Sequence, residues 1–127
     1  MNCLLDTHTV LWFAENSPKL SVAAKGAILR RNTLNFVSIV SAWELAVKIS
    51  LGKMRIDGGT AEFFNIIESN CFLILPIKRK YIQKAETLPF VHRDPFDRML
   101  ICAALCEGLA VITADADIQK YPVRCIW

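Results

Sequence analysis

No stretch of this 127-residue chain reaches the roughly 20 consecutive apolar residues that a membrane span requires, although its hydrophobic fraction is 54%. No secretory leader is expected either. The opening MNCLLDTHTV has no basic n-region and puts an acid at Asp6, so a cytoplasmic protein is expected. The five cysteines (Cys3, Cys71, Cys102, Cys106, Cys125) are odd in number and contain no CxxC pair. That argues against a disulfide framework or a zinc site, and their apolar surroundings read as buried small hydrophobes in a reducing compartment. Internal repeats, low-complexity tracts and linkers are also lacking. The expectation is one domain spanning residues 1–127, long enough to bury a real core. No strong charge of either sign is present: the net charge of +3 permits a nucleic-acid partner without requiring one.

What the chain does contain is an alternation. Short apolar runs at 2–5 (NCLL), 34–39 (LNFVSI), 72–77 (FLILPI), 109–113 (LAVIT) and 123–126 (VRCI) are bounded by polar or turn residues, as suits strands covered on both faces. Between them lie helical patterns: Thr9 to Glu15, a segment after Ser21, Ser41 to Leu51 with Gly52 as a left-handed cap, Thr60 to Ser69, Lys78 to Leu88, and Pro95 to Cys106 stopped by Gly108. This order predicts a three-layer α/β/α domain around a central, mainly parallel sheet of four to five strands. In such folds ligands bind outside the carboxyl ends of the strands.

Several of the twelve acids fall at those ends. Asp6 closes the first strand, Glu44 lies a helical turn beyond the second, Asp94 and Asp97 open the helix before the fourth, and Asp115 and Asp117 follow it. Each has a local explanation. Ser41-Ala-Trp-Glu44 fits a capping box, Asp94-Pro95 is an N-cap with proline at the first helical position, Asp97 suits the helix dipole, and Asp115 or Asp117 can cap a short final helix. Taken together they say more. In a parallel sheet Asp6, Glu44, Asp97 and Asp115 project from one edge, where mutual repulsion would raise their pKa values unless a cation sat among them. All-oxygen donors of this kind suit Mg²⁺ or Mn²⁺, which can orient a water for displacement at a phosphodiester.

LLDTHTVLWF, VSIVSAWELAVKISLGKM, HRDPFDRMLICAAL and VITADADI follow one another in the order of the PIN-domain ribonucleases, and more closely resemble the VapC-type toxins of bacterial toxin–antitoxin pairs. The resemblance runs over essentially the whole chain. It implies a PIN fold, an Mg²⁺- or Mn²⁺-dependent endoribonuclease acting on RNA, and Asp6, Glu44, Asp97 and Asp115 as catalytic and metal-binding acids. It further implies a homodimer held inactive by a cognate antitoxin. Cys102 and Ala104 depart from the branch's usual residues, but on the helix body.

Other residues keep two readings. Thr7 and Thr113 either hold a ligand carboxylate or metal-bound water, or are turn hydroxyls satisfied by backbone. Ser41 favours capping. Asp94 and Asp117 are outer ligands or caps, and His92 positions Asp94 or contacts RNA. Arg98 grips phosphate, neutralises the acids or faces solvent; Arg93 shares that ambiguity. Lys78-Arg79-Lys80, awkward for a helix start, is either a solvated face or a phosphate-facing patch at the acid edge. Trp12, Phe13, Phe63, Phe64, Ile66 and Ile67 divide between core and partner surface. Asp57-Gly58-Gly59-Thr60 reads as a turn and an N-cap, since no phosphate-loop spacing follows. A phospho-acceptor domain is excluded by the third strand, which ends in LPIKRK without an aspartate. A non-catalytic module binding RNA or protein remains the alternative.

Overall fold

The computed structural model describes all 127 residues. Five strands form one sheet: β1 (Cys3–Leu5), β2 (Asn35–Ser38), β3 (Leu73–Leu75), β4 (Ala110–Ile112) and β5 (Cys125–Ile126). Their spatial order is β3-β2-β1-β4-β5, and every pairing is parallel. Six helices connect them: α1 (Thr7–Ala14), α2 (Val22–Leu29), α3 (Ile39–Ser50), α4 (Gly59–Ser69), α5 (Arg79–Thr87) and α6 (Pro95–Glu107). A short 3₁₀ turn at Ile118–Lys120 precedes β5.

Side chains alternate across a strand, so each central strand feeds two cores. Cys3, Leu5, Val37, Ala110 and Ile112 face α1 to α4, where they meet Val10, Ile28, Leu45, Phe63 and Ile67. Leu4 and Val111 face the other way, onto Tyr81, Leu100, Ile101 and Ala104 of α5 and α6. The three layers follow directly. Burial on both faces explains why strands only three residues long are stable: β1 and β4 are buried at every position. β3 stops at Leu75 because Pro76 has no N–H for the ladder. No helix is long and apolar enough to cross a membrane.

Four helix starts use side-chain caps, from Asp6, Ser21, Ser38 and Asp94. Two of these correct the sequence expectation. Asp6 itself caps α1, accepting from the Thr9 N–H at 2.8 Å, so the helix begins at Thr7 and not Thr9. Ser38, not Ser41, caps α3, because β2 runs into the helix with no intervening loop. Ser41 therefore lies inside the helix, buried, with no protein partner for its hydroxyl. Glu44 is a turn too late to close a capping box. At α4 the cap position is Gly58 at φ +84°, with no side-chain bond, so Thr60 is not the cap. Gly108 ends α6 in the expected left-handed conformation, at φ +67°.

Three further expectations change. Cys71 is exposed, set at φ +56° in the turn after α4, while Cys3 and Cys102 are buried and no disulfide forms. Phe63 and Ile67 belong to the core and Phe13, Phe64 and Ile66 pack against it, so most of that aromatic surface is internal. The basic run 78–80 does not lie at the acid edge. Lys78 and Lys80 each pair with Glu107 at 2.6 Å. Glu107 ends α6, ten residues beyond Asp97 and so about 15 Å along the helix from it.

Candidate active site

At the carboxyl edge of the sheet, a cleft of about 420 Å³ is lined by Asp6, Thr7, Glu44, Asp94, Asp97 and Asp115, together with His8, Trp12, Lys48 and His92. The edge is where the strand order turns. β1 continues to β2 on one side, and the chain returns to β4 on the other, which opens a crevice above β1 and β4.

Asp6 leaves β1 directly above that crevice. Its Oδ1 accepts the Thr9 N–H, and its Oδ2 accepts the Thr113 hydroxyl from the end of β4. The register Leu5↔Ile112 brings the two residues side by side. Thr113 Oγ1 also accepts the Asp115 N–H at 3.0 Å, so one hydroxyl ties two of the acids together. Thr9 donates its own hydroxyl to the Ile112 carbonyl at 2.8 Å and anchors the start of α1 to β4.

Glu44 enters from α3 and is buried. The Thr7 hydroxyl donates to Oε1 at 2.7 Å, and Lys48, one turn along the same helix face, reaches Oε2 at 2.6 Å. That bond and the carboxylate's charge hold the Lys48 ammonium above its usual pKa, against the pull of partial burial.

Asp97 sits in the first turn of α6. Asp94 caps this helix, accepting from the N–H groups of Phe96 at 2.8 Å and Asp97 at 3.4 Å. Burial pushes Asp97 up to about 7. The charges of Asp94, Glu44 and Asp115 add to the rise and His92 opposes it. Asp115 moves the other way. Burial alone would raise it, but hydrogen bonds from His92 and from the backbone of Asp117 and Ile118 outweigh that and lower it.

His92 bridges the last two acids, with Nε2 at 3.1 Å from Asp97 and 2.9 Å from Asp115. Its Nδ1 lies 3.2 Å from the Asp94 N–H and accepts from it, which assigns the ring proton to Nε2. Two influences compete on this ring. Burial disfavours the imidazolium, but the hydrogen bond to Asp115 and the charges of Asp97, Asp115 and Asp94 prevail and raise its pKa. Charging the ring would turn Nδ1 into a donor facing the Asp94 N–H.

Arg98 lies outside the cleft lining. It is buried beneath the segment between α5 and α6, where its guanidinium donates to the carbonyls of Pro89 and Leu88 at 2.9 Å and of His92 at 3.2 Å, and stacks on Phe90. It thus pins the loop that carries His92, an arrangement that phosphate gripping would have to break. Asp117 also stands outside the cleft, half-exposed and paired with Lys120 at 3.0 Å. Arg93 is exposed.

Two features were not singled out from the sequence. Lys48 carried a signal, four residues after Glu44. The bridging position of His92 had none, because it depends on the α5–α6 segment folding against Asp115, which follows β4.

The donor set fits a hard divalent cation. Asp6, Glu44, Asp97 and Asp115 offer only carboxylate oxygens, and their mutual repulsion, which adds to burial in raising Asp97, is what such a cation would relieve. His92, Asp115 and Asp117 bring ligand atoms within 4.8 Å of one another. That trio differs in chemistry, because its imidazole nitrogen is a softer donor than the all-carboxylate set offers to Mg²⁺ or Mn²⁺.

No curated protein sequence matches the chain. Among solved structures, VapBC2 from Rickettsia felis, bound to a promoter DNA fragment, superimposes with a TM-score of 0.73 at 15% identity, over 98% of this chain and 97% of that one. DNA-bound VapBC from Salmonella typhimurium gives 0.66 at 17% identity, over 98% and 96%. FitAcB from Neisseria gonorrhoeae gives 0.62 at 16%, over 97% and 95%. At these identities the likeness is one of fold. The PIN-domain model matches residues 3–123, which take in the whole sheet up to β5 and every acid of the cleft. The chain belongs to the PIN-domain family.

Proposed function

We propose that this protein is a VapC-like toxin: a metal-dependent endoribonuclease that hydrolyses RNA phosphodiester bonds and is neutralised by a cognate antitoxin. The observation that carries this reading is the convergence of Asp6, Glu44, Asp97 and Asp115, from four separate stretches of chain, on one cleft. A structural neighbour from Klebsiella pneumoniae, described as a toxin–antitoxin complex, supports the antitoxin partner. The homodimer and the cytoplasmic location follow from the same family reading, as does a single domain over residues 1–127.

Mg²⁺ or Mn²⁺ held by these four acids would supply an activated water and neutralise charge developing on the phosphate. The chain's own groups prepare the site. Thr113 fixes Asp6, Thr7 fixes Glu44, and His92 spaces Asp97 from Asp115, so these carboxylates are held near their working positions. Asp94 serves through the helix start that aims Asp97. Hydrolysis then breaks one P–O bond of the backbone and adds the elements of water across it.

One observation favours a second reading, a non-catalytic binding module: Glu44, Asp97 and Asp115 each already have a basic partner, as capping and structural acids do. Incubating purified protein with structured RNA and Mn²⁺ separates the two. Asp6→Asn and Asp97→Asn should each lower cleavage at least about a hundredfold, the scale lost when even a supporting partner of a metal ligand is removed. Cleavage by these variants at the rate of the unmutated chain would refute the metal-site reading. Growth arrest on expression, relieved by the product of an adjacent gene, tests the toxin role separately.

A further inference from the structure

Within the acid cleft one side chain has the wrong sign for a metal ligand. Lys48 is the only lining residue with a permanent positive charge, set among the five carboxylates of Asp6, Glu44, Asp94, Asp97 and Asp115. Its side chain is 30% exposed, so the ammonium can be reached from solvent, whereas the Glu44 side chain it touches is 7% exposed.

A pair of this spacing ordinarily needs no functional account. Glu and Lys four residues apart stabilise an exposed helix face by a few tenths of a kcal/mol. This pair differs in where it points. Its carboxylate is buried and already holds one strong donor, the Thr7 hydroxyl at 2.7 Å. Its ammonium faces the crevice where an anionic backbone would have to lie. No other lysine or arginine lines that crevice. Arg98 is tied to backbone carbonyls beneath the loop, and Lys78 and Lys80 are held by Glu107 at the far end of α6. A cleft ringed by acids repels RNA phosphates, and Lys48 is the lining charge that offsets this beside a bound cation.

We propose that Lys48 is a substrate-binding residue that contacts an RNA phosphate at the cleft once a divalent cation has taken over Glu44. In the metal-free protein its ammonium neutralises Glu44. When the carboxylate turns to a cation, the ammonium is released while still anchored one turn away on α3, within reach of the phosphate path. Lysine is suited to this exchange: its charge sits on a flexible four-carbon stem, and it binds as a point charge without a fixed geometry. The inference rests on the ribonuclease reading above, and its test distinguishes the two.

The test measures binding of a single-stranded RNA oligonucleotide in Ca²⁺ across a salt series, for the unmutated chain, Lys48→Met and Lys48→Arg. Each phosphate contact on a single strand contributes about −0.7 to the slope of log K against log salt. Lys48→Met should lose that amount, and Lys48→Arg should keep it. Mn²⁺ affinity without RNA, read by titration calorimetry, should be unchanged or tightened by Lys48→Met, since a competitor for Glu44 is gone. In cleavage assays KM should rise more than kcat falls. A purely structural Lys48 gives the opposite pattern, in which the salt slope stays the same while Mn²⁺ binding weakens, and that result overturns the proposal. An unmutated chain that neither binds nor cuts RNA overturns the ribonuclease reading and this inference with it.

Discussion

Replacing Asp97 by asparagine should stabilise the metal-free protein much more at pH 8 than at pH 5. The reason lies in the cleft. Asp97 is raised to about 7 from an ordinary value of 3.8, chiefly by burial, then by the charges of Asp94 and Glu44. A carboxyl with a raised folded-state pKa binds its proton more tightly in the native protein than in the unfolded chain. Its contribution is therefore fully present below about pH 4 and is lost as pH rises through about 7. A rise of about 3 units at 1.36 kcal/mol per unit sets a ceiling of about 4 kcal/mol. Relaxation of the site and a side chain that is 19% exposed argue for roughly half of that ceiling. For a chain of this length 1 kcal/mol moves Tm by roughly 3–5 °C. About two of those three units are lost between pH 5 and pH 8, so the Tm advantage of Asp97→Asn over the unmutated chain, measured calorimetrically in EDTA, should grow by roughly 4–7 °C across that range. His92 acts in the same sense: its raised pKa stabilises the unmutated protein at low pH, and part of that support comes from the Asp97 charge. Adding Mn²⁺ at pH 8 should raise the Tm of the unmutated protein and move that of the variant much less. A Tm difference that is flat across this range, or that favours the unmutated chain at pH 8, would show that Asp97 is not electrostatically strained.

Thr113→Val should strand a buried oxygen of Asp6 without its donor, costing about 1–3 kcal/mol and lowering Mn²⁺ affinity about 10- to 100-fold, while Thr113→Ser should restore both. Calorimetric titration reads the affinity, and unchanged binding in the valine variant would remove Thr113 from the site. Arg98→Met should lower stability by about 3 kcal/mol in urea unfolding, because the buried carbonyls of Leu88 and His92 lose a charged donor. It should reduce cleavage only through the looser placement of His92. An unchanged urea midpoint would show that the guanidinium does not hold that segment.

Much of this architecture is local and therefore readable along the chain. Asp94-Pro95 announces a helix start because both residues act within one turn, and the structure shows that cap with Asp97 in the turn it opens. Gly108 and Gly52 stop helices for the same short-range reason, each with φ near +70°. The five strands and six helices follow from apolar periodicity, although ends shifted where a neighbour intervened. Ser38 displaced Ser41 as cap because β2 leads straight into α3, and Pro76 shortened β3 by withholding an N–H.

The partners of the acids are of another kind. Parallel topology says that Asp6, Glu44, Asp97 and Asp115 gather at one edge, but not which groups hold them there. Thr113 reaches Asp6 across 107 positions because Leu5 pairs with Ile112, and no local pattern encodes strand register between distant segments. Lys78 and Lys80 sit at the far end of α6 from Asp97 because the helix places Glu107 there to receive them. Arg98, beside Asp97 in sequence, turns under the loop because the buried carbonyls of Leu88 and His92 need a donor. Sequence spacing within a helical turn thus set where each acid begins. Packing between segments far apart in the chain decided which groups hold it, because a buried charge must be paired and its partner can come from any element brought into reach.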